Sequence, residues 1–306
     1  MTGKIVWSVV GLAVVALLGV WLIYIPLEVL RAQRHPLTAT PASAGIAYED
    51  ASFPSRGDHL TIRAWWMPAP SVNAVLVFVH GGNSNRIEEF SGGLQIAKFL
   101  IAHRISVLSP DLRNHGASDS SPDGQLTMGV DESNDVEGAI DYAVRRAPGL
   151  PVYVMGTSMG GASAIYAVER DARVKKLVLV DPLLDPQDTS VEALHAMLGA
   201  PRWLFKPVVW SAETFFAHVH PSETPLAAAE RLTLPILLIK DRTDPVCRAV
   251  SAKMLADRNP QVHMWLVPAP TPANAAALIG STYGAHAAAF RLYPDEEKTR
   301  LLAFLQ

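Results

Sequence analysis

A chain of 306 residues accommodates one large α/β domain of about 260 residues beside a short terminal segment. The formal net charge of −3, with no block of like charges, offers no platform for nucleic acid and no polybasic lipid-binding surface. The single cysteine, Cys247, excludes an intramolecular disulfide framework and a multi-cysteine zinc site, and with no glycine turn around it reads as a packed thiol.

Residues 5–25, IVWSVVGLAVVALLGVWLIYI, carry no charge and are long enough to cross a bilayer core. A cleavable secretory signal has a shorter apolar region closely followed by small residues, whereas the nearest A-x-A pattern here, residues 42–44, lies far beyond the apolar end. The expectation is a transmembrane anchor over residues 1–30, with Trp21 and Tyr24 at the interface. Lys4 on one side and Arg31 and Arg34 on the other leave the orientation finely balanced; the expectation is a short cytoplasmic tail and an outward-facing domain. Residues 31–45, with Pro36 and Pro41, read as a linker, and the folded domain is expected over 46–306.

Strands are expected at 46–53 and 59–67, joined by the hairpin composition PSRGD, and then at 74–79, 105–109, 152–155, 174–180, 235–240 and 262–267. Helical spacing lies between them at 87–103, 130–146, 162–170 and 247–258, and a closing helix at 294–305 places proline and acids first and bases later. This alternation predicts a mainly parallel sheet with helices on both faces, whose chemistry collects at the carboxyl ends of the strands. It stops between residues 183 and 234, an insertion rich in aromatic residues (Trp203, Phe205, Trp210, Phe215, Phe216). Those rings suit either an acyl-binding roof or contacts that hold the insertion to the core.

Residues 156–160, Gly-Thr-Ser-Met-Gly, end the strand at 152–155 and open a helix. The G-x-S-x-G spacing in this setting is that of a nucleophile elbow, where a strained turn exposes the Ser158 hydroxyl and glycines let the backbones pass closely. His80-Gly81-Gly82 ends another strand and resembles an oxyanion loop; its amide would pair with that of Met159, the residue after the serine. The loop 111–118, DLRNHGAS, reads as scaffolding beside the site. An acid lying between serine and histidine in the chain is offered by Asp244, with Asp241 closing the turn before it, and by Asp181 at the preceding strand end. Each of Asp244 and Asp181 is followed by proline, so local sequence does not separate them. Two histidines follow Asp244: His263 sits within an alternating strand pattern, and His286 sits in a glycine loop suited to carrying an imidazole over the serine. His218 and His220 have no acid or cysteine cluster to complete a metal site and read as structural.

With HGG at 80–82, DLRNHGAS at 111–118, GTSMGG at 156–161, DRTD at 241–244 and GAH at 284–286, the chain resembles the α/β-hydrolase superfamily. It looks most like the serine hydrolases of the monoglyceride-lipase, prolyl-oligopeptidase and acyl-aminopeptidase neighbourhood, including membrane-anchored bacterial members. The resemblance implies an α/β-hydrolase fold with a lid at about 183–234, Ser158 as nucleophile, His286 as general base, Asp244 as orienting acid, and the amides of Gly82 and Met159 as oxyanion hole. It implies no metal and no organic cofactor. The function expected is cleavage of a small-molecule or lipid-like carboxylic ester with an apolar acyl group through an acyl-enzyme. Its rivals are a peptidase or amidase using the same residues and a non-catalytic, membrane-tethered binding protein of the same fold. The sequence departs from the family pattern in the length of residues 267–284 and in an aspartate at position 241.

Overall fold

A computed structural model describes residues 2–306. The apolar N-terminus forms one continuous helix, α1 (Thr2–Gly19), a wider π-turn (Val20–Tyr24) and α2 (Ile25–Leu30). Its stretch Lys4–Leu30, 27 residues with mean hydropathy 2.5, is long and apolar enough to cross a membrane, and none of its most apolar window is buried.

The remainder follows the expected alternation: β1 (Glu49–Pro54), β2 (Thr61–Met67), β3 (Ala74–Val79), α3 (Gly93–Ala102), β4 (Ile105–Pro110), α4 (Glu132–Arg146), β5 (Val152–Thr157), α5 (Met159–Arg170) and β6 (Val174–Val180). The insertion then supplies α6 (Pro186–Leu198), α7 (Arg202–Ser211) with a π-turn at Ala212–Phe216, and α8 (Pro225–Glu230). β7 (Ile236–Asp241), α9 (Ala249–Arg258), β8 (Val262–Val267), α10 (Ala289–Leu292) and α11 (Pro294–Leu305) complete the chain. The eight strands form one sheet in the order β1-β2-β4-β3-β5-β6-β7-β8, with β2 antiparallel to both its neighbours, β1 and β4, and all remaining neighbours parallel.

The central strands are continuous apolar runs because both faces are covered. Val75 and Val77 of β3 and Val154 of β5 pack with Val136, Ile140 and Ile165 of α4 and α5, while Leu76, Phe78 and Met155 face Leu94, Leu100 and Leu301 of α3 and α11. Each fully buried aliphatic side chain contributes about 1.5–3 kcal/mol, which fixes the positions at which the strands end. Because β5, β6 and β7 are parallel neighbours, Ser158, Asp181 and Asp244, far apart in sequence, all emerge on one edge.

Helix α3 starts at Gly93, later than helical spacing from residue 87 predicts. Glu88 and Gly92 take left-handed backbone (φ +43° and +75°), which breaks the helix and turns the Glu88 carboxylate back onto the Gly81 N–H at 2.8 Å.

The insertion meets the end of the N-terminal helix. Phe205 is buried and stacks on Trp21 with ring centroids 5.9 Å apart; Val191, Leu194, Val208 and Val209 surround it together with Ile25 and Val29. Trp21 Nε1 donates to the Leu204 carbonyl at 3.2 Å, and Ser211 Oγ donates to the Leu22 carbonyl at 2.7 Å. The aromatic residues of the insertion therefore divide: Phe205 holds it together, whereas Trp203, Trp210 and Phe215 are exposed. Residues 31–45 run over the domain, tied down by the Arg34 guanidinium on the His115 carbonyl (3.1 Å) and Ser120 Oγ (2.8 Å).

Candidate active site

The β5–α5 connection has the geometry that its glycines predict. Ser158 takes φ +52°, ψ −120°, a conformation that costs a non-glycine residue roughly 1–3 kcal/mol and is held only where its surroundings enforce it. A methyl group at Gly156 would stand 2.4 Å from the Gly160 carbonyl oxygen, and one at Gly160 would stand 2.3 Å from the His80 carbonyl oxygen. The two glycines thus allow α5 to cross directly over β3 and β5, leaving Ser158 at its N-terminus and half-buried.

The backbone amides near this serine fall into two sets. Gly81 N–H donates to Glu88 Oε2 (2.8 Å), Asn83 N–H to His115 Nε2 (3.0 Å) and Ser158 N–H to the Val180 carbonyl (3.0 Å). Among the described residues, the N–H groups of Gly82 and Met159 meet no acceptor. The two residues adjoin, since a methyl group at Gly82 would stand 3.4 Å from Met159 Sδ and 3.7 Å from its Cβ. Free donors at these two positions are what an oxyanion site requires.

The imidazoles of the adjoining loops are structural. His80 Nδ1 lies 2.7 Å from the Gly81 carbonyl, and its Nε2 accepts from Leu112 N–H (2.9 Å); His115 Nδ1 lies 2.7 Å from the Arg113 carbonyl. Burial pulls both rings down to about 4, so they stay neutral as spacers between the loops. Asp111 is consumed by Arg86 Nε and Nη2 (2.9 and 2.8 Å) and by the amides of Arg86 and Ala117 (both 2.7 Å).

Asp244 and His286 meet. His286 Nδ1 lies 2.9 Å from Asp244 Oδ2, with the Asp244 side chain fully buried and His286 9% exposed. Asp244 Oδ1 accepts the amides of Val246 (2.7 Å) and Cys247 (3.1 Å), and Oδ2 also accepts Lys240 Nζ (2.5 Å). Burial pushes the Asp244 carboxyl up, but His286 and Lys240 outweigh it and hold the group well below the usual carboxylate range. For His286, burial lowers the pKa and the Asp244 carboxylate more than restores it, leaving the imidazole above its ordinary value. That combination is an ionised acid orienting a basic imidazole. His263, the other histidine downstream of Asp244, is exposed on edge strand β8.

Asp181, the rival acid, is otherwise engaged. Its Oδ1 accepts Lys240 Nζ (2.5 Å) and Asp241 N–H (2.8 Å), and its Oδ2 accepts Ala287 N–H (2.8 Å). Cys247 is buried, and burial raises its thiol well above the ordinary value, which leaves it protonated and unreactive. Its sulfur and the ligand atoms of Asp244 and His286 lie within 4.8 Å of one another. The Asp244 carboxylate there already accepts four hydrogen bonds, one from an ammonium ion that would repel a metal cation. His218, on the insertion, reaches Asp123 Oδ2 (2.6 Å) and Asp131 Oδ2 (3.1 Å) and ties the insertion to the loop before α4.

The family model described as serine aminopeptidase, S33, matches residues 70–223, half of the chain, from the strand before the HGG loop through the elbow and across the insertion. The chain belongs to the serine aminopeptidase S33 family. Human monoglyceride lipase is 27% identical over 257 residues, covering 71% of this chain and 80% of that protein. Rat monoglyceride lipase is 22% identical over 241 residues, covering 67% of this chain and 76% of that protein. Among solved structures, an esterase from Pyrococcus furiosus superposes with a TM-score of 0.73 at 21% identity, covering 90% of this chain and 97% of its own. The ferulic acid complex of Est1E from Butyrivibrio proteoclasticus gives 0.59 at 16% identity, covering 83% of this chain and 99% of its own. At these identities the structures establish the shared α/β-hydrolase fold. The family match covers the elbow and the HGG loop but ends before Asp244 and His286, which geometry alone brings together.

Proposed function

We propose that this S33-family chain is a membrane-anchored serine hydrolase of carboxylic esters, with Ser158 as nucleophile, His286 as general base, Asp244 as its orienting acid, and the amides of Gly82 and Met159 as oxyanion hole. The observation that carries the reading is a histidine held 2.9 Å from the buried Asp244, on the same strand edge from which a strained, half-buried Ser158 emerges beside the free amides of Gly82 and Met159. Ser158 Oγ attacks the ester carbonyl as His286 Nε2 takes its proton, and the developing oxyanion meets the Gly82 and Met159 N–H groups. Collapse breaks the ester bond, and the imidazolium returns the proton to the departing alcohol, leaving an acyl-Ser158. Water, deprotonated by His286, then attacks the acyl carbonyl and releases the acid with Ser158 regenerated. The imidazolium is stabilised throughout by Asp244, whose pKa lies too low for it to take the proton itself.

Esters with an apolar acyl group are the preferred substrates. The curated relatives are monoglyceride lipases, and a transmembrane anchor at residues 1–30, a linker at 31–45 and a hydrolase domain at 46–306 would hold the site beside lipid. The packing of Trp21, Ile25 and Val29 on the insertion supports a retained anchor over a cleaved signal, since cleavage would uncover Phe205. On this reading the domain faces outward from a short cytoplasmic tail. A second reading, an aminopeptidase, rests on the description of the family. Turnover of p-nitrophenyl esters and monoacylglycerols of rising chain length, beside aminoacyl p-nitroanilides, decides between them. The expected result is ester turnover that Ser158→Ala abolishes; faster cleavage of the anilides would replace the ester reading with the peptidase reading.

A further inference from the structure

We propose that Asp181 and Lys240 are positioning residues, a buried ion pair that joins the acid loop to the base loop and sets the proton affinity of His286. The proposal rests on the reading of Asp244 and His286 as acid and base. Lys240 is 1% exposed, and its ammonium lies 2.5 Å from Asp181 Oδ1 and 2.5 Å from Asp244 Oδ2, the oxygen that also serves His286. A buried lysine placed there has a cost of desolvation that only a specific arrangement offsets. Asp181 spans three segments: it ends β6, accepts the backbone of Asp241 from β7, and accepts the backbone of Ala287, the residue directly after His286. Ala287 has left-handed backbone (φ +57°), so the Asp181 oxygen holds a turn that alanine does not favour unaided. The carboxylate that grips Lys240 therefore also fixes the loop presenting the imidazole.

The charge arrangement gives this scaffold a chemical role. Burial raises the Asp181 carboxyl and the Lys240 ammonium draws it back down; with Asp181 ionised against Lys240, two carboxylates face one ammonium and leave a single negative charge for the imidazolium to neutralise when His286 takes a proton. Lys240 bonds to the same Asp244 oxygen as His286 and tempers its pull on the ring, while the negative charge of Asp181 acts in the opposite sense. Of the other titratable groups facing the cluster, Glu297 and Cys247 are neutral at neutral pH, and Asp241 is ionised there. Burial raises Glu297 of α11 to about 8 and keeps the Cys247 thiol protonated; Asp241, raised by burial to about 6, closes its own turn onto Thr243.

The test is the pH profile of kcat/KM for a p-nitrophenyl ester, measured on the full-length chain in detergent. Asp181→Asn removes a negative charge near His286 and leaves Lys240 bearing on Asp244 alone, so both changes lower the affinity of the ring for a proton. The acid limb is expected to move down by about one pH unit. Adding Lys240→Met removes the opposing charge and is expected to bring the limb back up. An acid limb unchanged in a folded Asp181→Asn enzyme overturns the proposal. If that single variant does not fold, the Asp181→Asn/Lys240→Met chain, with neither buried charge unpaired, is expected to fold; failure of both to fold overturns the proposal by making the pair structural only. Labelling of the same preparations with a fluorophosphonate separates the two levels. Labelled enzyme with an unmoved limb removes this inference alone, whereas wild type that resists labelling removes the hydrolase reading on which it rests.

Discussion

Asp244→Asn tests the assignment of the acid with the least change of shape. The carboxylate accepts four donors, Lys240 Nζ and His286 Nδ1 on one oxygen and the amides of Val246 and Cys247 on the other. An asparagine has one oxygen and one NH2, so either rotamer sets a donor against two donors. If the NH2 faces the ring, His286 must turn its unprotonated nitrogen toward it and lose the tautomer that accepts a proton from serine. If it faces the loop, the amides of Val246 and Cys247 lose their acceptor and the acid turn opens. Hydrogen bonds to charged groups contribute about 1.5–3 kcal/mol each, so two lost bonds predict a destabilisation of roughly 3–6 kcal/mol, lessened by the tie of Lys240 to Asp181. The loss of the productive tautomer predicts a fall in kcat of about 10³–10⁴, the scale set by the same substitution in serine proteases. Thermal denaturation and ester turnover on one preparation measure both. A folded Asp244→Asn enzyme with both Tm and kcat close to wild type refutes the assignment, since each rotamer sacrifices one of the two.

Three other substitutions bear on the frame around the site. Gly160→Ala places a methyl group 2.3 Å and 2.5 Å from the carbonyl oxygens of His80 and Val79, which are backbone and cannot swing away. Helix propensity would favour alanine by about 1 kcal/mol, yet the expected outcome is a lower Tm and a 10²-fold or greater loss of kcat as the elbow shifts by about 1 Å; an active, stabilised variant contradicts the close crossing. Glu297 is buried, one of its oxygens has no partner, and its pKa rises from 4.5 to about 8. Its folded-state pKa lies above the unfolded one, so the folded chain keeps the proton longer and the group withdraws stability as pH rises from about 4.5 to 8. Glu297→Gln is therefore expected to raise Tm at pH 8 by an amount worth about 1–3 kcal/mol and to change little at pH 4.5, and a gain confined to low pH would reverse the argument. Trp21→Ala removes the ring stacked on Phe205 and the hydrogen bond to Leu204. Faster proteolysis within residues 183–234 in reconstituted vesicles, with the sheet domain intact, is the expected outcome; unchanged cleavage argues against the anchor as the support of the insertion.

Much of the fold was legible because the strands buried on both faces read as unbroken apolar runs, and because glycines mark the tight crossings around Ser158. Strand ends in a parallel sheet share an edge, so His80, Asp111, Ser158, Asp181 and Asp244 could be gathered on one side from chain order alone. The choice between Asp181 and Asp244 could not be made there. Both are strand-end aspartates followed by proline, both accept the Lys240 ammonium and two backbone amides, and only the imidazole on Asp244 distinguishes them. Lys240 left a signal that went unread, a charge at the end of the apolar run PILLIK, four residues before Asp244. The contacts of the N-terminal helix with the insertion lie some 180 residues apart in sequence, Trp21 with Leu204 and Leu22 with Ser211, and no local pattern encodes them. The late start of α3 has a local cause, the left-handed Glu88 and Gly92, of which only the glycine marks such a turn in sequence.

The central claim is that Ser158 accepts the acyl group. Treating the full-length chain with a fluorophosphonate and mapping the adduct by peptide mass spectrometry tests it most directly. The account predicts a single stoichiometric adduct on Ser158, absent from Ser158→Ala and strongly slowed in His286→Ala; a folded wild-type chain that takes no adduct, or takes it on another residue, contradicts it.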